Sequence, residues 1–222
     1  MIKEKKTLAN FDFQRALMID RGRFSEVKRC YDTSSGADPK KKLCIKILDR
    51  ATVDKIYKDS YIKREINLLL QLNHPNIVRQ EYFFEDKKKY YIISEFVQNG
   101  NIAQFIHFRA KFLDEKLLFV FFFQMCLGIE YLHKKKIYHR NLNLTNVLLD
   151  YKSNLKLCDY AILEPAGRTI EMIPCASLDF IAPEVLMSRS TNDKADIWSL
   201  GAILYTLAYK KKPFAGNSMK EK

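Results

Sequence analysis

The stretch IYHRNLNLTNVLLDYKSNLKLCDYA, residues 137–161, decides the fold of this chain. Two short apolar runs within it predict a pair of strands joined by a tight turn, namely Val147–Leu149 and Asn154–Leu157. The polar triplet His139–Asn141 precedes the first strand, and Asp159 follows the second directly. A hairpin with a polar cluster before it and a carboxylate directly after it is suited to binding a charged ligand.

The same stretch resembles the catalytic loop and the metal loop of protein kinases, whose patterns are H-R-D-L-x-x-x-N and D-F-G. This chain has H-R-N-L-N-L-T-N and D-Y-A at the corresponding places. The resemblance implies that Asn146 and Asp159 hold Mg²⁺. It also places Asn141 at the position of the catalytic aspartate, and Asn143 at the position of the lysine that Ser/Thr kinases use on the transferring phosphate.

The segment Asp20–Val27 resembles the glycine-rich loop G-x-G-x-x-G-x-V, whose backbone closes over the phosphates of ATP. Gly22 matches the central glycine and Val27 the valine, while Asp20 and Ser25 replace the outer two glycines. A serine still lets the backbone approach a phosphate, but a carboxylate repels it. Taken alone, an ordinary β-turn is the simpler interpretation of this segment.

The apolar run Leu43–Leu48 predicts a strand that a single lysine, Lys46, interrupts. A lysine there is costly to bury unless it has a partner, and the alternative is an edge strand with Lys46 facing water. A helix predicted at about residues 53–72 carries Glu65 beside its apolar stripe. In protein kinases a strand lysine that grips the ATP phosphates pairs with a helix glutamate, and the resemblance assigns these roles to Lys46 and Glu65.

The run Tyr90–Phe96 is rich in strand-forming residues and leads into a turn signal, Gln98-Asn99-Gly100. In the kinase family this is the last strand of the small lobe, followed by the hinge whose backbone binds adenine. The resemblance therefore assigns the hinge to Glu95 through Val97. It also places the small side chain of Ser94 at the back of the nucleotide pocket.

Two later motifs extend the resemblance over nearly the whole chain. Ala182–Glu184 matches the A-P-E anchor of the kinase activation segment, and Asp196–Gly201 matches the D-x-W-S-x-G helix of the large lobe. The implied fold class is α+β, a bilobal protein-kinase-like fold. We expect a small β-rich N-lobe with one main helix at residues 11–94, a hinge at 95–99, and an incomplete, mainly helical C-lobe at 100–222.

The expectation of an incomplete C-lobe comes from the short segment that follows Phe214. In the family, several more helices follow, and one of them carries the arginine that pairs with the A-P-E glutamate, here Glu184. We therefore expect no such partner for Glu184. We also expect the apolar face of the helix that begins near Asp196 to be partly exposed to water.

Composition narrows the classes of protein. With 47% hydrophobic and 13% aromatic residues, the chain can bury a core, so intrinsic disorder is excluded. The formal net charge is +12, and much of it comes from four lysine triplets between apolar segments. We expect these to be solvated loops; the alternative is a basic face for nucleic acid or anionic lipid. The triplets are Lys40–Lys42, Lys87–Lys89, Lys134–Lys136 and Lys210–Lys212.

The five cysteines contain no C-x-x-C pair, and their number is odd, so neither a disulfide framework nor a zinc site is expected. This suits a reducing compartment, and we expect a cytoplasmic location, with a nuclear one left open. The N-terminus lacks the apolar core of a signal peptide. The apolar run Leu117–Ile129, interrupted by Gln124, predicts a buried helix whose phenylalanine-rich face is core, and it is too short to span a bilayer.

These motifs together predict a domain that binds ATP and Mg²⁺ but lacks an efficient general base. The amide at Asn141 can accept a hydrogen bond but cannot take up a proton, and general-base catalysis contributes ~10²–10⁴-fold. The leading hypothesis is a pseudokinase that acts as a scaffold or allosteric partner of another protein.

Three alternatives stay open. The chain could be a weakly active Ser/Thr kinase with a protein substrate, so enzymatic status is undecided. It could instead be a basic module for nucleic acid or membrane, although we do not expect nucleic acid. The fourth alternative is a decaying gene copy or incomplete gene model with no stable product.

Overall fold

The computed structural model describes residues 6–13, 17–21, 25–34, 36, 38, 41–56, 59–109, 113–160, 175–187 and 192–214. The chain divides into two compact units, the first made of residues 1–73 and 79–96 and the second of residues 74–78 and 97–222. Gly22 and Ala161, which the sequence places in the glycine-rich and metal loops, lie outside the described residues.

The first unit is built on a six-stranded antiparallel sheet in the order β1, β3, β4, β6, β5, with β2 also paired to β3. Successive side chains of β4 point to opposite faces of the sheet. Leu43, Ile45 and Ile47 are therefore buried on one face, whereas Lys46 on the other face is half-buried. The strands are β1 (Phe11–Asp12), β2 (Met18–Arg21), β3 (Ser25–Asp32), β4 (Lys42–Asp49), β5 (Gln80–Glu85) and β6 (Lys89–Glu95).

One face of this sheet carries an apolar core formed by Phe11, Cys30, Tyr91 and Ile93 with the buried residues of β4. Burial raises the pKa of the Cys30 thiol to about 12, with a smaller contribution from Cys44, so this thiol is a structural group rather than a reactive one.

The sequence predicts one helix at residues 53–72, and the structure has two, α1 (Arg50–Ile56) and α2 (Asp59–Leu69). α1 begins earlier than predicted because Asp49 caps it: the Thr52 N–H and hydroxyl both donate to Asp49 Oδ1, at 2.8 and 2.6 Å. Ile62, Ile66 and Leu69 are buried, as their helical spacing predicts.

The second unit is mainly helical. Asp114 caps its longest helix by accepting a hydrogen bond from the Leu117 N–H at 2.7 Å. Asn192 caps the last helix by accepting from Lys194 N at 2.9 Å. The elements are α3 (Ile102–Arg109), α4 (Glu115–Lys134), β7 (Val147–Leu149), β8 (Leu155–Leu157), a 3-10 turn (Cys175–Phe180), α5 (Pro183–Leu186) and α6 (Asp193–Tyr209).

A glycine allows α4 to lie against the β7–β8 hairpin and the short segment of residues 74–78. A Cβ atom added to Gly128 would come within 2.9 Å of Leu157 Cδ1 and 3.1 Å of the Asn76 carbonyl oxygen. A Cβ atom here would force Leu157 or the Asn76 backbone to shift, so glycine allows the close approach at no such cost. Backbone bonds join the same elements, since Leu157 N donates to Asn76 O and Val78 N donates to Leu157 O, each at 2.9 Å.

The predicted burial of the phenylalanine-rich face of α4 is only partly right. Phe121 is buried, but Phe119 and Phe123 are 67% and 52% exposed and stack on each other with ring centroids 6.1 Å apart. Of two apolar faces on one helix, only the one turned to β8 and α6 is covered within the described residues.

α4 also corrects the length argument made from residues 117–129. The helix has 20 residues and, by length and composition alone, is apolar enough to cross a membrane; it is the one such helix in the described part of the chain. This is weak support for a span, because the core helix of a soluble protein meets the same criterion and α4 packs on α6 and β8.

α6 exposes part of its apolar surface, in line with the sequence expectation. Ile197 is 51% and Trp198 39% exposed, whereas Leu200 and Leu207 on the same helix are buried. The Trp198 ring stacks on Phe214, with centroids 5.5 Å apart and planes nearly parallel at 9°. Phe214 thus covers part of the tryptophan face.

Candidate functional site

The loop that carries the kinase-like motif is held at its base by a buried carboxylate, Asp196 on α6. Asp196 Oδ2 accepts hydrogen bonds from the His139 backbone N–H at 2.8 Å and contacts His133 Nε2 at 2.7 Å. Its Oδ1 accepts from the Arg140 backbone N–H at 2.8 Å. Two consecutive peptide groups of the loop are therefore fixed by one side chain that is 1% exposed.

The electrostatics of this anchor follow from burial and hydrogen bonding. Burial alone would raise the pKa of Asp196, but the hydrogen bonds from His133 and from the two loop N–H groups outweigh it and lower the pKa. Burial lowers the pKa of His139, which is completely buried, although Asp196 and nearby carbonyl groups oppose the shift. The anchor thus favours an ionised aspartate beside a neutral His139.

Two asparagine side chains of the same loop donate hydrogen bonds to the carbonyl oxygen of a third asparagine, Asn141. We call this cluster of Asn141, Asn143 and Asn146 the asparagine ring. Asn143 Nδ2 donates to that oxygen at 3.0 Å, and Asn146 Nδ2 donates to it at 2.8 Å. Asn143 Oδ1 in turn accepts from the Thr145 backbone N–H at 2.9 Å and from the Thr145 hydroxyl at 2.6 Å. The side chain of Asn143, 4% exposed, is therefore turned onto its own loop.

Asn141 itself keeps an acceptor at the position of the family's catalytic aspartate. Its Oδ1 is contacted by Asn143 Nδ2 at 3.4 Å, and its backbone N–H approaches His139 Nδ1 at 3.4 Å. Arg140, just before it, has a left-handed backbone with φ of 61°. That conformation is uncommon for a residue with a side chain, and the Arg140 N–H bond to Asp196 helps to hold it.

Asp159 is brought next to Asn146 by a backbone bond, since the N–H of the preceding residue, Cys158, donates to Asn146 O at 3.0 Å. Asp159 has a left-handed φ of 55°. Tyr160, completely buried, donates its hydroxyl to the Val78 carbonyl oxygen at 2.8 Å and lies edge-on to the His139 ring. The metal-loop residues are thereby tied to both the asparagine ring and the 74–78 segment.

These donors fit a magnesium ion shared with a nucleotide. Because Asn146 Nδ2 is bonded to the Asn141 carbonyl, its Oδ1 is the atom available for a cation, and Asp159 supplies a carboxylate. Mg²⁺ favours oxygen ligands and is usually bound through one or two carboxylates plus substrate phosphates. Among the described residues no cluster of three or more His, Cys, Asp or Glu could hold a metal ion.

In the first unit, three residues predicted to bind nucleotide share one face of the sheet. Lys46 is the cross-strand partner of Val27 on β3 and of Ile92 on β6. Ser94 pairs with Cys44, two residues before Lys46. Cross-strand partners lie on the same side of a sheet, so Val27, Lys46 and Ser94 all face away from the apolar core of Phe11 and Ile93.

Glu65 lies on α2 in the same unit and is half-buried. It makes no hydrogen bond or ion pair with any residue in the described ranges. The pairing of Lys46 with Glu65 therefore stays a prediction from the family resemblance.

At the predicted hinge, Glu95 closes the end of β6 by bonding to Arg79. The Glu95 N–H donates to Arg79 O at 3.0 Å, and Glu95 Oε1 accepts from Arg79 N at 2.8 Å. Val97 is half-buried and begins the second unit's main segment. The adenine-binding roles of Ser94, Glu95 and Val97, like that of Gly22, stay predictions.

The anchoring role of Asp196 was not predicted, although the motif that contains this residue was identified. The signal in the sequence was a carboxylate, Asp196, directly before the apolar part of α6, whose first turn also carries Asp193. The second partner of this carboxylate, His133 on α4, is also distant along the chain from the motif that contains Asp196. The partners are 63 residues apart in sequence, so no local pattern could pair them.

Comparison with known proteins agrees with this geometry. The model of the protein kinase domain family matches residues 13–222. CBL-interacting serine/threonine-protein kinase 8 of Arabidopsis thaliana is 37% identical over 199 residues, 88% of this chain and 44% of that protein. Serine/threonine-protein kinase PLK4 of Xenopus tropicalis is 30% identical over 211 residues, 94% of this chain and 22% of that protein.

A third relative, an Aurora kinase of Saccharomyces cerevisiae, is 27% identical over 223 residues, 96% of this chain and 59% of that protein. The chain belongs to the protein kinase family, and its relatives include Ser/Thr kinases. Its α+β architecture, with an antiparallel sheet in one unit and mainly helices in the other, is that of a bilobal protein-kinase-like fold. Family membership implies the use of ATP, Mg²⁺ and protein substrates in general; the chain spans less than half the length of the first two relatives.

Proposed function

We propose that this chain is a pseudokinase domain that binds Mg²⁺-ATP and acts as a scaffold or allosteric partner of another protein. The observation that carries the proposal is the asparagine ring: the loop has a complete hydrogen-bond framework, yet an amide occupies the position of the general base. An amide oxygen can orient a hydroxyl group but cannot take its proton. The absence of general-base catalysis is expected to lower the rate of phosphoryl transfer by ~10²–10⁴-fold.

The second substituted position supports the same conclusion. In Ser/Thr kinases a lysine at this place neutralises charge on the transferring phosphate, and Asn143 has no charge to offer. Its amide is also engaged by Thr145 and by the Asn141 carbonyl. Phosphoryl transfer depends mainly on positioning and charge stabilisation, so the loss of both the base and the cation weakens transfer far more than nucleotide binding.

The residue types with which the family binds nucleotide, in contrast, occur at the matching positions of this sequence. Asp159 and Asn146 would hold Mg²⁺, and Lys46 would contact the α- and β-phosphates from the face of the sheet it shares with Val27. When bound, Mg²⁺ neutralises phosphate charge, and this chain's own residues orient the nucleotide around it.

Thermal unfolding with Mg²⁺-ATP tests nucleotide binding. Saturation at about 100 times Kd adds ~2.7 kcal/mol to the folded state, which for a chain of this size raises Tm by roughly 5–10 °C. Lys46→Met and Asp159→Asn should reduce that rise, while Lys88→Met, at an exposed turn between β5 and β6, should leave it unchanged. An unchanged Tm in saturating Mg²⁺-ATP would remove nucleotide binding from the proposal.

A slow Ser/Thr kinase is the second candidate, because an amide oxygen such as Asn141 Oδ1 can accept a hydrogen bond from a hydroxyl group. Transfer of radiolabelled phosphate from ATP to a mixture of Ser/Thr peptides separates the two candidates. Incorporation that disappears in Asp159→Asn would make the chain an enzyme rather than a pseudokinase.

The lysine triplets do not favour the nucleic-acid or membrane alternative. Lys134 pairs with Glu130 at 2.7 Å, Lys135 lies over the Tyr131 ring at 5.4 Å, and Lys212 pairs with the buried carboxylate of Asp179 at 2.7 Å. Lysines engaged within the fold contribute less to a continuous basic face.

We keep a cytoplasmic location as part of the proposal, which localisation of a tagged full-length protein would test.

A further inference from the structure

A second concave surface in the second unit lies beside the turn between β7 and β8. It has a volume of about 390 Å³, within the ~300–1,000 Å³ range of small-ligand pockets. We call it the turn pocket; its walls include Asn76, Gln124, Tyr151, Lys152 and Lys156. It contains none of the residues predicted to bind nucleotide, metal or substrate.

The amide groups on its wall are oriented by the fold. The Leu155 backbone N–H donates to Gln124 Oε1 at 2.6 Å, and Asn76 Nδ2 donates to the same oxygen at 3.2 Å. Because only the carbonyl oxygen of an amide can accept, the Gln124 NH₂ group must point the other way. Within the described ranges Gln124 Nε2 has no hydrogen-bond partner, so it is a donor available to a ligand.

The one carboxylate on the pocket wall is occupied by its own turn. Asp150 Oδ1 accepts from the backbone N–H groups of Lys152 and Asn154, both at 2.8 Å. Asp150 Oδ2 accepts from Asn154 Nδ2 at 3.1 Å. These bonds engage both oxygens of Asp150 within its own turn, and its single negative charge stands against the two positive charges of the lysines on the same wall.

Two lysines add positive charge to the pocket wall. Lys152 Nζ lies 5.4 Å from the centroid of the Tyr151 ring, which is itself 67% exposed, and Lys156 lies on β8. The field of Lys156 reaches the adjacent segment: burial chiefly, and then the charge of Lys156, lower the pKa of His74. The pocket therefore combines cations, an amide donor and an exposed aromatic ring.

We propose that the turn pocket binds an acidic peptide segment of a partner protein, through Lys152, Lys156 and the NH₂ group of Gln124. Carboxylates are acceptors that match this set of donors, and charge-assisted hydrogen bonds are the stronger ones. A peptide fits better than a small free anion because the pocket opens on the surface and Tyr151 offers a ring against which side-chain stems pack. The proposal does not depend on nucleotide binding, since the two sites share no residue.

Fluorescence anisotropy of a labelled hexaglutamate peptide, with labelled hexaserine as the blank, tests the proposal on the whole chain. The pocket variant is Lys152→Glu with Lys156→Glu. The control variant is Lys116→Glu with Lys194→Glu, which changes the net charge equally at exposed helix positions outside the pocket. We expect the pocket variant to bind roughly tenfold or more weakly, and the control to change by less than about twofold.

Gln124→Glu gives a second, near-isosteric test. The new carboxylate still accepts from Leu155 N and Asn76 Nδ2, so the fold is kept, but the donor is replaced by an oxygen that repels the peptide. We expect a loss of roughly tenfold in affinity with little change in Tm.

Four outcomes would overturn the proposal. Equal weakening by pocket and control variants would show diffuse attraction to a basic protein. No binding of hexaglutamate at about 1 mM would exclude an acidic peptide. Displacement by millimolar inorganic phosphate, with no effect of peptide length, would assign the pocket to a free anion. Tighter, pocket-dependent binding of a single-stranded RNA dodecamer would assign it to nucleic acid.

Discussion

The loop of residues 138–146 has two parts that are held by different groups. Its base is residues 139 and 140, and its tip is residues 141–146. At its base, Asp196 receives backbone N–H groups from His139 and Arg140 and is almost completely buried. At its tip, neutral amides replace the aspartate and lysine of Ser/Thr kinases, and they bond to one another and to Thr145. The carboxylate that binds the base, Asp196, matches the family's motif, whereas the two matching positions at the tip carry uncharged amides.

In this chain the loop is held without a carboxylate at position 141. Asp196 accepts a hydrogen bond from the backbone of Arg140 and so stabilises its left-handed conformation. At the tip, hydrogen bonds between neutral asparagine groups hold the loop without any ionised side chain. We expect substitutions at the base to lower stability most, Asn141 at the tip to affect activity, and Asn143 at the tip to have a smaller effect on stability.

The largest effect is expected at the base. Asp196→Ala leaves two buried N–H groups and His133 without their acceptor, and breaking such a buried charged network costs about 3–5 kcal/mol of unfolding free energy. Urea denaturation measures it. Asp193→Ala, more exposed in the same first turn of α6, is the control and should cost less than about 1 kcal/mol. Equal costs would mean that Asp196 does not hold the loop.

The tip is tested next by Asn141→Asp. The carboxylate has the size of the amide and restores a base, so ATP-dependent phosphorylation of a Ser/Thr peptide mixture should rise by ~10²-fold or more. Asn141→Ser, which restores no base, should give no rise. If the folded variant binds Mg²⁺-ATP and is as inactive as its parent, the fault lies elsewhere than at this position.

Asn143 shows whether the tip has a structural role of its own. Asn143→Ala removes the acceptor of the Thr145 N–H and hydroxyl and the donor to the Asn141 carbonyl; because these bonds are part-buried and Thr145 is exposed, we expect a cost of about 1 kcal/mol. Thr145→Val removes only the hydroxyl bond and should cost less. If Asn143→Lys is as stable as the parent chain, the position is free to carry the family's lysine, contrary to this expectation.

The smallest effect is a dependence on pH. The pKa of buried His139 is lowered in the folded state, so the unfolded state takes up a proton first as the pH falls below ~6.5. The neutral, buried His139 therefore contributes fully to the free energy of unfolding above pH ~6.5. As the pH falls from there towards the lower pKa of the folded state, the free energy of unfolding decreases by at most about 1.4 kcal/mol per pH unit. His74, whose pKa is also lowered chiefly by burial, acts in the same direction.

Unfolding free energies at pH 7, 6 and 5 measure this slope. His139→Gln should flatten it more than His74→Gln, because His139 is completely buried. His107→Gln, at an exposed position of α3, should leave it unchanged. An unchanged slope in His139→Gln would show that this histidine is not held neutral by the fold.

Much of this protein was determined by the sequence alone. The alternation of β4, the helical spacing of Ile62, Ile66 and Leu69, and the order of the kinase motifs predicted the architecture that the structure has. These features were readable because strand and helix periods and motif spacings are local properties of the chain. The substitution at Asn141 was visible for the same reason.

The tertiary structure decided where the polar side chains point. Asn143 was expected to lack a charge at the site, and only the fold shows that its amide bonds to Thr145. Phe119 and Phe123 were expected in the core, but the periodicity of an apolar helix does not say which of its faces a neighbour covers. The contact of Asp196 with the loop and that of Asn76 with Leu155 join residues 57 and 79 positions apart. Such bonds exist only after the chain has closed on itself, so no local pattern contains them.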